Sequence, residues 1–413
     1  MTSRWLWLLS RLGRRIWFRA SLFSLAAVLT ALLAIVIAPF IPVDVPAKVG
    51  ADSVDNILGI IASSMLAVTT FSLNVMVSAY SAATTNVTPR ATRLVMEDST
   101  TQNVLATFLG SFLFSLVGIV ALSTGAYGDQ GRVVLLGVTI VVIVLIVVTL
   151  LRWIDHLSKL GRVTETTARV EEVAAAAMRE RQRRPYLGGA RLDSERVVPA
   201  GARPVAADRI GYVQHVDVGA LSSLAEDAEG RIYLGAIPGM FAEPARPLAW
   251  TVGLDEENDE AVRRCFSVGD TRSFDQDPRF GLCVLSEIAS RALSPGINDP
   301  GTAIDVIGRA VRVLALWSSP EAEPEIAYPR VFVPAIEPDD LFSDVFQPLG
   351  RDGAGLVEVG LRLQKALHTL ARLGDGRYAA AARRQSELAL ARAEAALVIE
   401  DDVRQLREAA AQV

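Results

Sequence analysis

Four long apolar segments in the first 155 residues constrain the fold more than any other feature of the sequence. They comprise residues 20–41, 57–80, 104–122 and 133–151, and none of them contains a charged side chain. A helix needs roughly 20 apolar residues to cross about 30 Å of hydrocarbon. A single helix satisfies its own backbone hydrogen bonds in lipid, whereas a single strand does not. The sequence therefore predicts a four-helix transmembrane domain over residues 20–155.

Basic residues are distributed unequally around these spans. Residues 1–19 contain five arginines, whereas the first loop, residues 42–56, contains one lysine and three aspartates. Further basic residues follow the fourth span, and basic residues accumulate on the cytoplasmic side of a membrane. We therefore predict cytoplasmic N- and C-termini. The first span is expected to remain as an anchor, because its apolar core is too long for a cleaved signal peptide.

The basic N-terminal segment, residues 1–19, has two interpretations. Aromatic and arginine residues alternate between Trp5 and Phe18, as in an amphipathic helix that lies among lipid headgroups. The alternative is a simple cluster of charges that sets the topology. Both place this segment on the cytoplasmic face.

The sequence after residue 156 has a different character. The whole chain is 51% hydrophobic, with a mean hydropathy of +0.33, but its later part is rich in arginine, glutamate, aspartate and alanine. The fourth span is predicted to continue as one stalk helix through Arg184, followed by a linker rich in proline and glycine. Stalk and linker together comprise residues 156–205. Residues 206–253 predict a small β-rich module with strands at 210–216, 231–236 and 248–252. Asp217 is expected to cap a short helix between the first two strands.

Residues 254–413 are predicted to be helical. One helix is expected at 280–293, and Asn298 or Asp299 is expected to cap the next, with Pro300 in its first turn. A proline-rich loop and a C-terminal helical hairpin, broken near residues 374–376, follow. The predicted fold class is a membrane α-helical protein: four transmembrane helices plus a cytoplasmic α+β domain that contains the small β-rich module and the hairpin.

Several short runs of residues resemble one protein family. They include Phe71-Ser72-Leu73 in the second span, Pro238-Gly239 in the β-rich module, and above all RALSPGINDP at residues 291–300. On these residues the chain is similar to the DUF2254 family of bacterial membrane proteins, and the similarity covers most of the chain. The resemblance implies the same architecture and a multi-pass protein of the bacterial plasma (inner) membrane. The family has no established activity, so the resemblance implies no catalytic residues.

The second span carries a polar stripe. Ser63, Ala67, Thr70, Asn74, Ser78 and Ser81 follow one another at steps of three or four residues, which places them on one face of a helix. Two interpretations remain open. Small and hydroxyl side chains allow membrane helices to pack closely, but a stripe that crosses the membrane could also line a water-filled pathway in an oligomer. On the second interpretation, Ser63, Thr70, Asn74, Ser78 and Ser81 are the pore-lining candidates.

A second group of candidate residues is acidic and lies around the distinctive run. It consists of Asp275, Asp277, Arg291, Asn298 and Asp299, with Arg272 and Asp305 nearby. The group could bind a cation or an anionic ligand. The favoured interpretation is structural, with Asp299 as a helix cap and Asp277 in a turn before Pro278. Cys265 and Cys283 are expected to be reduced, buried thiols rather than a disulfide.

These features lead to one preferred function and two alternatives. The first is a homo-oligomeric passive ion channel, with a pore lined by the second span and a cytoplasmic assembly or gating domain. The second is a non-transporting scaffold or sensor whose cytoplasmic domain binds a partner or ligand. A membrane enzyme is the least supported, because no catalytic motif is present. Besides the lipid bilayer and further copies of the chain, we expect no nucleic-acid partner, metal or cofactor; no lysine lies between Lys159 and Lys365 to carry a prosthetic group.

Overall fold

The computed structural model describes residues 7, 12–13, 15–37, 51–125, 129–192, 197–318 and 325–413. The chain divides into two compact units. The helical unit comprises Leu9–Thr85 and Thr92–Glu165. The α+β unit comprises Met1–Leu8, Asn86–Ala91 and Thr166–Val413. The predicted spans thus belong to one unit, and nearly all of the later sequence belongs to the other.

Among the described residues, the N-terminal part of the chain contains helices α1 (Ile16–Ile37), α2 (Ala51–Asn86), α3 (Pro89–Met96), α4 (Ser99–Ser123) and α5 (Asp129–Leu157). Within the described residues, three segments are long and apolar enough to cross a membrane: Ser53–Ala82, Ser99–Ser123 and Gly131–Leu157. They correspond to the second, third and fourth predicted spans. In α1 the apolar segment Trp17–Leu33 is shorter, and residues 38–41 of the first predicted span lie outside the described residues. Three of the four predicted spans are therefore supported by length and composition, and the first predicted span, residues 20–41, stays a prediction.

Two buried clusters hold the helical unit together. The first joins Ala31 of α1, Leu58 of α2, Phe114 of α4 and Leu135 of α5. The second joins Met65, Phe108 and Trp153 from α2, α4 and α5. Gly118 lets α4 pack closely against α2, because a Cβ atom at this position would lie 3.0 Å from Leu58 Cδ1. Close packing of this kind is how membrane helices associate when lipid removes the hydrophobic drive between them.

The predicted continuous stalk helix is wrong. Helix α5 ends at Leu157, and α6 (Val163–Arg183) begins after a tight turn. Gly161 in this turn has a φ of +81°, which glycine adopts at little cost and other residues adopt rarely. A Cβ atom there would also lie 3.3 Å from the backbone of Ala79 on α2. The sequence interpretation had treated this glycine as helical, but it lies in the turn that separates α5 from α6.

The α+β unit contains two sheets. The first, in the order β1-β8-β4-β6-β2, consists of β1 (Gly189–Leu192), β2 (Arg203–Ala206), β4 (Arg231–Leu234), β6 (Pro247–Val252) and β8 (Tyr328–Pro334). The second, in the order β5-β3-β7, consists of β3 (Gly211–Val216), β5 (Phe241–Ala242) and β7 (Phe266–Gly269). The predicted module boundaries of 206–253 are therefore too narrow. Strands β1, β7 and β8 lie wholly outside them, and β2 lies mostly outside. Strand β8 inserts between β1 and β4 from about 100 residues further along the chain.

The remaining helices are α7 (Val218–Asp227), α8 (Asp259–Arg264), α9 (Pro278–Ala292), α10 (Pro300–Trp317), α11 (Pro338–Asp352), α12 (Val357–Leu373), α13 (Gly376–Ala396) and α14 (Glu400–Ala410). Aspartate side chains cap several of them, including Asp217 at α7, Asp299 at α10 and Asp375 at α13. Helices α12 and α13 form the predicted hairpin. Tyr378 of α13 is buried and donates a hydrogen bond of 2.6 Å to the carbonyl oxygen of Leu314 on α10, which ties the hairpin to the rest of this unit.

Candidate functional site

Helix α2 has an apolar buried side and a polar exposed side. Leu58, Ile61 and Met65 lie on the buried side. Ser63, Thr70, Asn74, Ser78 and Ser81, the pore-lining candidates, are all exposed on the opposite side. Asn56 and Thr85 are exposed as well and continue the same helical spacing at the two ends. We call these seven residues the polar face; the sequence interpretation missed its two ends because they lie outside the apolar segment.

The length of the polar face matches a membrane. Its ends, Asn56 and Thr85, are 29 residues apart along one helix. At 1.5 Å per residue that is roughly 43 Å, about the thickness of a bilayer with its headgroups. A local packing contact needs only one or two polar groups. A face of this length provides them through the whole thickness of the membrane.

Polar groups that pack between helices lie elsewhere in the helical unit. Ser72 of α2 is fully buried and accepts a hydrogen bond of 2.9 Å from Trp153 Nε1 of α5. Ser111 and Ser115 of α4 are also buried. The polar face is therefore separate from the polar contacts that join helices within one chain.

The exposed side of α5 provides an internal comparison. Between residues 140 and 151 its exposed residues are all aliphatic: Ile140, Val141, Val144, Leu145, Val147, Val148 and Leu151. Such a surface suits contact with lipid chains. The exposed side of α2 carries hydroxyl and amide groups where that of α5 carries aliphatic ones. This difference indicates that the polar face does not lie against lipid chains.

Asp98 caps helix α4. Its Oδ2 atom accepts hydrogen bonds of 2.8 Å from the backbone N–H and the hydroxyl of Thr101, and it lies 3.1 Å from Nε2 of His156 on α5. Burial alone would raise the pKa of Asp98, but the hydrogen bonds from His156 and Thr101 outweigh it and lower the pKa to about 2. This contact joins the beginning of α4 to the end of α5.

We expect Asp98→Ala to lower the free energy of unfolding at neutral pH by about 1 kcal/mol, the usual loss for a helix cap. Because the folded-state pKa lies below the ordinary value, the contribution of the carboxylate is present above about pH 4 and is lost as the pH falls towards about 2. Unfolding in detergent across this pH range, with the wild type as the control, measures the effect. A difference between the proteins that is as large at pH 2 as at pH 7 would contradict the ionic origin of the effect.

The acidic group predicted from the sequence does not form one site. Asp277 caps the beginning of α9, whereas Asp299 follows the end of that helix and caps α10. The 15 residues of α9 separate the two carboxylates by roughly 22 Å. Asn298 has a φ of +50° in the turn between the helices. Within the described residues, no group of three or more His, Cys, Asp or Glu side chains is placed to hold a metal ion.

Asp277 belongs instead to a buried ion pair. Arg272 donates two hydrogen bonds to it, Nε to Oδ2 at 2.7 Å and Nη2 to Oδ1 at 3.0 Å. The backbone N–H groups of Arg279 and Phe280 donate to Oδ1 as well. Burial raises the pKa of Asp277, but every donor around the carboxylate supplies its own proton, so the group is ionised in this arrangement. Burial lowers the pKa of Arg272, and the bonds to Asp277 outweigh that effect and raise it.

A second buried arginine lies near this pair. Arg181 of α6 is 3% exposed, and none of its three guanidinium nitrogens has a hydrogen-bond partner in the part of the chain that the structure describes. Burial lowers the pKa of Arg181 to about 10, against the attraction of Asp277 and Tyr186. The group is therefore still protonated at neutral pH. The sequence pointed to no special role for this residue, because α6 contains several similar arginines.

Trp7 differs from its predicted place at the lipid headgroups. It is 3% exposed within the α+β unit. Its Nε1 atom donates a hydrogen bond of 2.8 Å to Asp275, and its ring stacks on His215 with 5.2 Å between centroids. These two contacts bury the indole in protein. Most of the predicted amphipathic segment lies outside the described residues.

The two cysteines are free in the structure. Cys265 is buried, and Cys283 of α9 is partly buried beside Arg272. Burial raises the pKa of Cys283 to about 11, since it opposes formation of the thiolate more than Arg272 favours it. A protonated thiol reacts slowly. Cys283 therefore lacks the low pKa of a nucleophilic thiol.

Comparisons with known proteins agree with the architecture. Uncharacterised proteins of Mycobacterium bovis and Mycobacterium tuberculosis are each 25% identical to this chain over 275 residues. The match covers 64% of this chain and 52% of each relative, so the chain spans about half the length of the curated relatives it matches. No solved structure matches it. The model of the predicted membrane protein family DUF2254 matches residues 13–369, and the chain therefore belongs to that family.

Proposed function

We propose that this membrane protein forms a homo-oligomer in which the polar face of α2 lines a passive ion pathway. The observation that carries the proposal is the position of that face on the outside of the helical unit. Asn74, at its centre, is exposed, and its side-chain amide has no hydrogen-bond partner within the described residues. An amide without a partner in hydrocarbon costs several kcal/mol. Water or a second copy of the chain must therefore cover it.

The apolar rows beside the polar face suit such an assembly. Leu66, Leu73 and Val77 are exposed on one side of it, and Ile60 and Phe71 on the other. Neighbouring copies could pack through these apolar side chains while the hydroxyl and amide groups between them face a common axis. The aliphatic exposed side of α5 then faces lipid. This arrangement gives every exposed surface of the helical unit an environment that matches its chemistry.

The wider proposal keeps the topology that the sequence predicts. Helix α1 supplies the first of four spans, both termini are cytoplasmic, and the α+β unit serves assembly or gating on the cytoplasmic side. The chain catalyses no reaction in this proposal. The distribution of arginine residues around the spans supports the topology.

Passive ion flux in liposomes that contain the purified full-length protein tests the proposal. We expect flux with the wild type and a large loss with Asn74→Leu, because leucine places an apolar group at the centre of the pathway. Val144→Leu, on the aliphatic side of α5, is the control and should leave the flux unchanged. If the wild type supports no flux above protein-free liposomes, the channel proposal is wrong.

Ligand binding by the α+β unit is a second candidate function, and Arg181 is the observation that favours it. A buried cation without an acceptor is costly unless an anion or water pairs with it. Inorganic phosphate should then raise the melting temperature of the wild type but not of Arg181→Met. Equal melting curves with and without phosphate would remove this candidate.

A further inference from the structure

Four of the five hydroxyl groups of the polar face, those of Ser63, Thr70, Ser78 and Thr85, are oriented in the same way. Ser63, Thr70 and Ser78 each donate a hydrogen bond of 3.0 Å to the backbone carbonyl four residues earlier. Thr85 makes the same bond at 2.9 Å. A hydroxyl has one proton and a carbonyl oxygen can only accept, so the direction of these bonds is fixed. Each of these hydroxyl oxygens can therefore still accept a hydrogen bond, but the hydroxyl has no further proton to donate.

The polar face is therefore mainly a surface of hydrogen-bond acceptors. Asn56 and Asn74 add amide oxygens to it, along with amide N–H groups. Residues 56–86 contain no lysine or arginine. Cations in channels are coordinated by oxygen atoms, whereas anions need N–H donors or positive side chains. Oxygen atoms that recur at each turn of the helix can replace part of the hydration shell of a cation along the membrane.

The negative charge at the N-terminal end of α2 also favours cations. Asp55 is exposed next to Asn56, where the polar face begins. Carboxylates around an opening raise the local concentration of cations, an effect that salt screens. The seven residues of the polar face carry no formal charge. Binding along it would then be weak enough for ions to leave, as conduction requires.

We infer that the pathway conducts cations in preference to anions. This inference rests on the function proposed above and names the class of ion that it transports. It follows from the direction of four hydrogen bonds and from the absence of basic residues between Asn56 and Asn86, which the polar stripe alone does not provide.

The reversal potential of the full-length protein in a planar bilayer tests the inference. Under a tenfold KCl gradient, we expect a reversal potential close to the potassium limit of about 59 mV. A value near zero or towards the chloride limit would overturn the inference and leave the channel proposal intact. No current at all would overturn both.

Two substitutions test whether the hydroxyl oxygens are the cause. Thr70→Val and Ser78→Ala remove an oxygen with little change in shape, and we expect each to lower the potassium conductance. Thr30→Val is the matched control, because Thr30 is exposed on α1 and makes the same type of bond, at 2.8 Å, to Ala26. Conductance unchanged in all three variants, with normal elution on gel filtration, would overturn the role of the acceptor oxygens.

Asp55→Asn should reduce the cation preference at low salt, and no change there would contradict the contribution of the carboxylate.

Discussion

Replacing Asp277 with alanine is expected to lower the free energy of unfolding of the α+β unit by about 3–5 kcal/mol, the usual loss when one partner of a buried ion pair is removed. Asp277 is 1% exposed and accepts two hydrogen bonds from Arg272. Its loss also removes the cap of α9. Arg272, which is partly buried, and Arg181, which is buried, would then lose the carboxylate that attracts them both. Denaturant unfolding in detergent, followed by tryptophan fluorescence, measures the change.

Asp299→Ala is the matched control. Asp299 caps α10 in the same way, with a bond of 3.0 Å from the N–H of Thr302, but it is exposed and pairs with no arginine. Its loss should cost only about 1 kcal/mol. Equal losses for the two variants would show that Asp277 acts as a cap alone. They would also show that the buried pair contributes nothing.

Replacing Gly239 with alanine is expected to cause a loss of similar size, about 3 kcal/mol or more, by breaking the same ion pair. Gly239 has a φ of +96° in the turn after Pro238. A Cβ atom there would overlap the carboxylate of Asp277, at 2.6 Å from its Cγ atom. The substitution therefore strains the turn and displaces the carboxylate from Arg272.

The control and the double variant separate these effects. Gly296→Ala has open space around the new methyl group and should cost little. Because Gly239→Ala and Asp277→Ala act on one network, their combined loss should be clearly smaller than the sum of the two. Additive losses would mean that Gly239 matters only for the turn, and the link to Asp277 would be wrong.

Features that depend on neighbouring residues in the sequence were predictable. The spans of α2, α4 and α5 follow from length and hydropathy, and Asp217 and Asp299 follow from the chemistry of helix caps. The break between α12 and α13 follows from Gly374 and Gly376. In each case the residues that decide the structure lie within a few positions of it.

Features that depend on distant contacts were not predictable. Strand β8 was interpreted as a loop because of Pro329 and Pro334, but these prolines lie at its two ends, and Val331 and Val333 between them are buried. The break at Gly161 depends on the backbone of Ala79. Asp277 and Asp299 are far apart because the whole length of α9 lies between them. The local signal for Arg181 was its spacing, which continues the buried face of Val170, Ala174 and Met178 at steps of three or four residues.

Accessibility of single cysteines to a water-soluble thiol reagent tests most directly whether the polar face of α2 lies against water. Cys265 and Cys283 would first be replaced, and single cysteines placed at Thr70, Asn74 and Ser78, with Val144 and Val148 of α5 as controls in the lipid. We predict rapid labelling of the three α2 positions in intact membranes and little labelling of the two α5 positions. If Thr70 and Asn74 are as protected as Val144, the polar face is a packing surface between chains, and the proposed pathway is wrong.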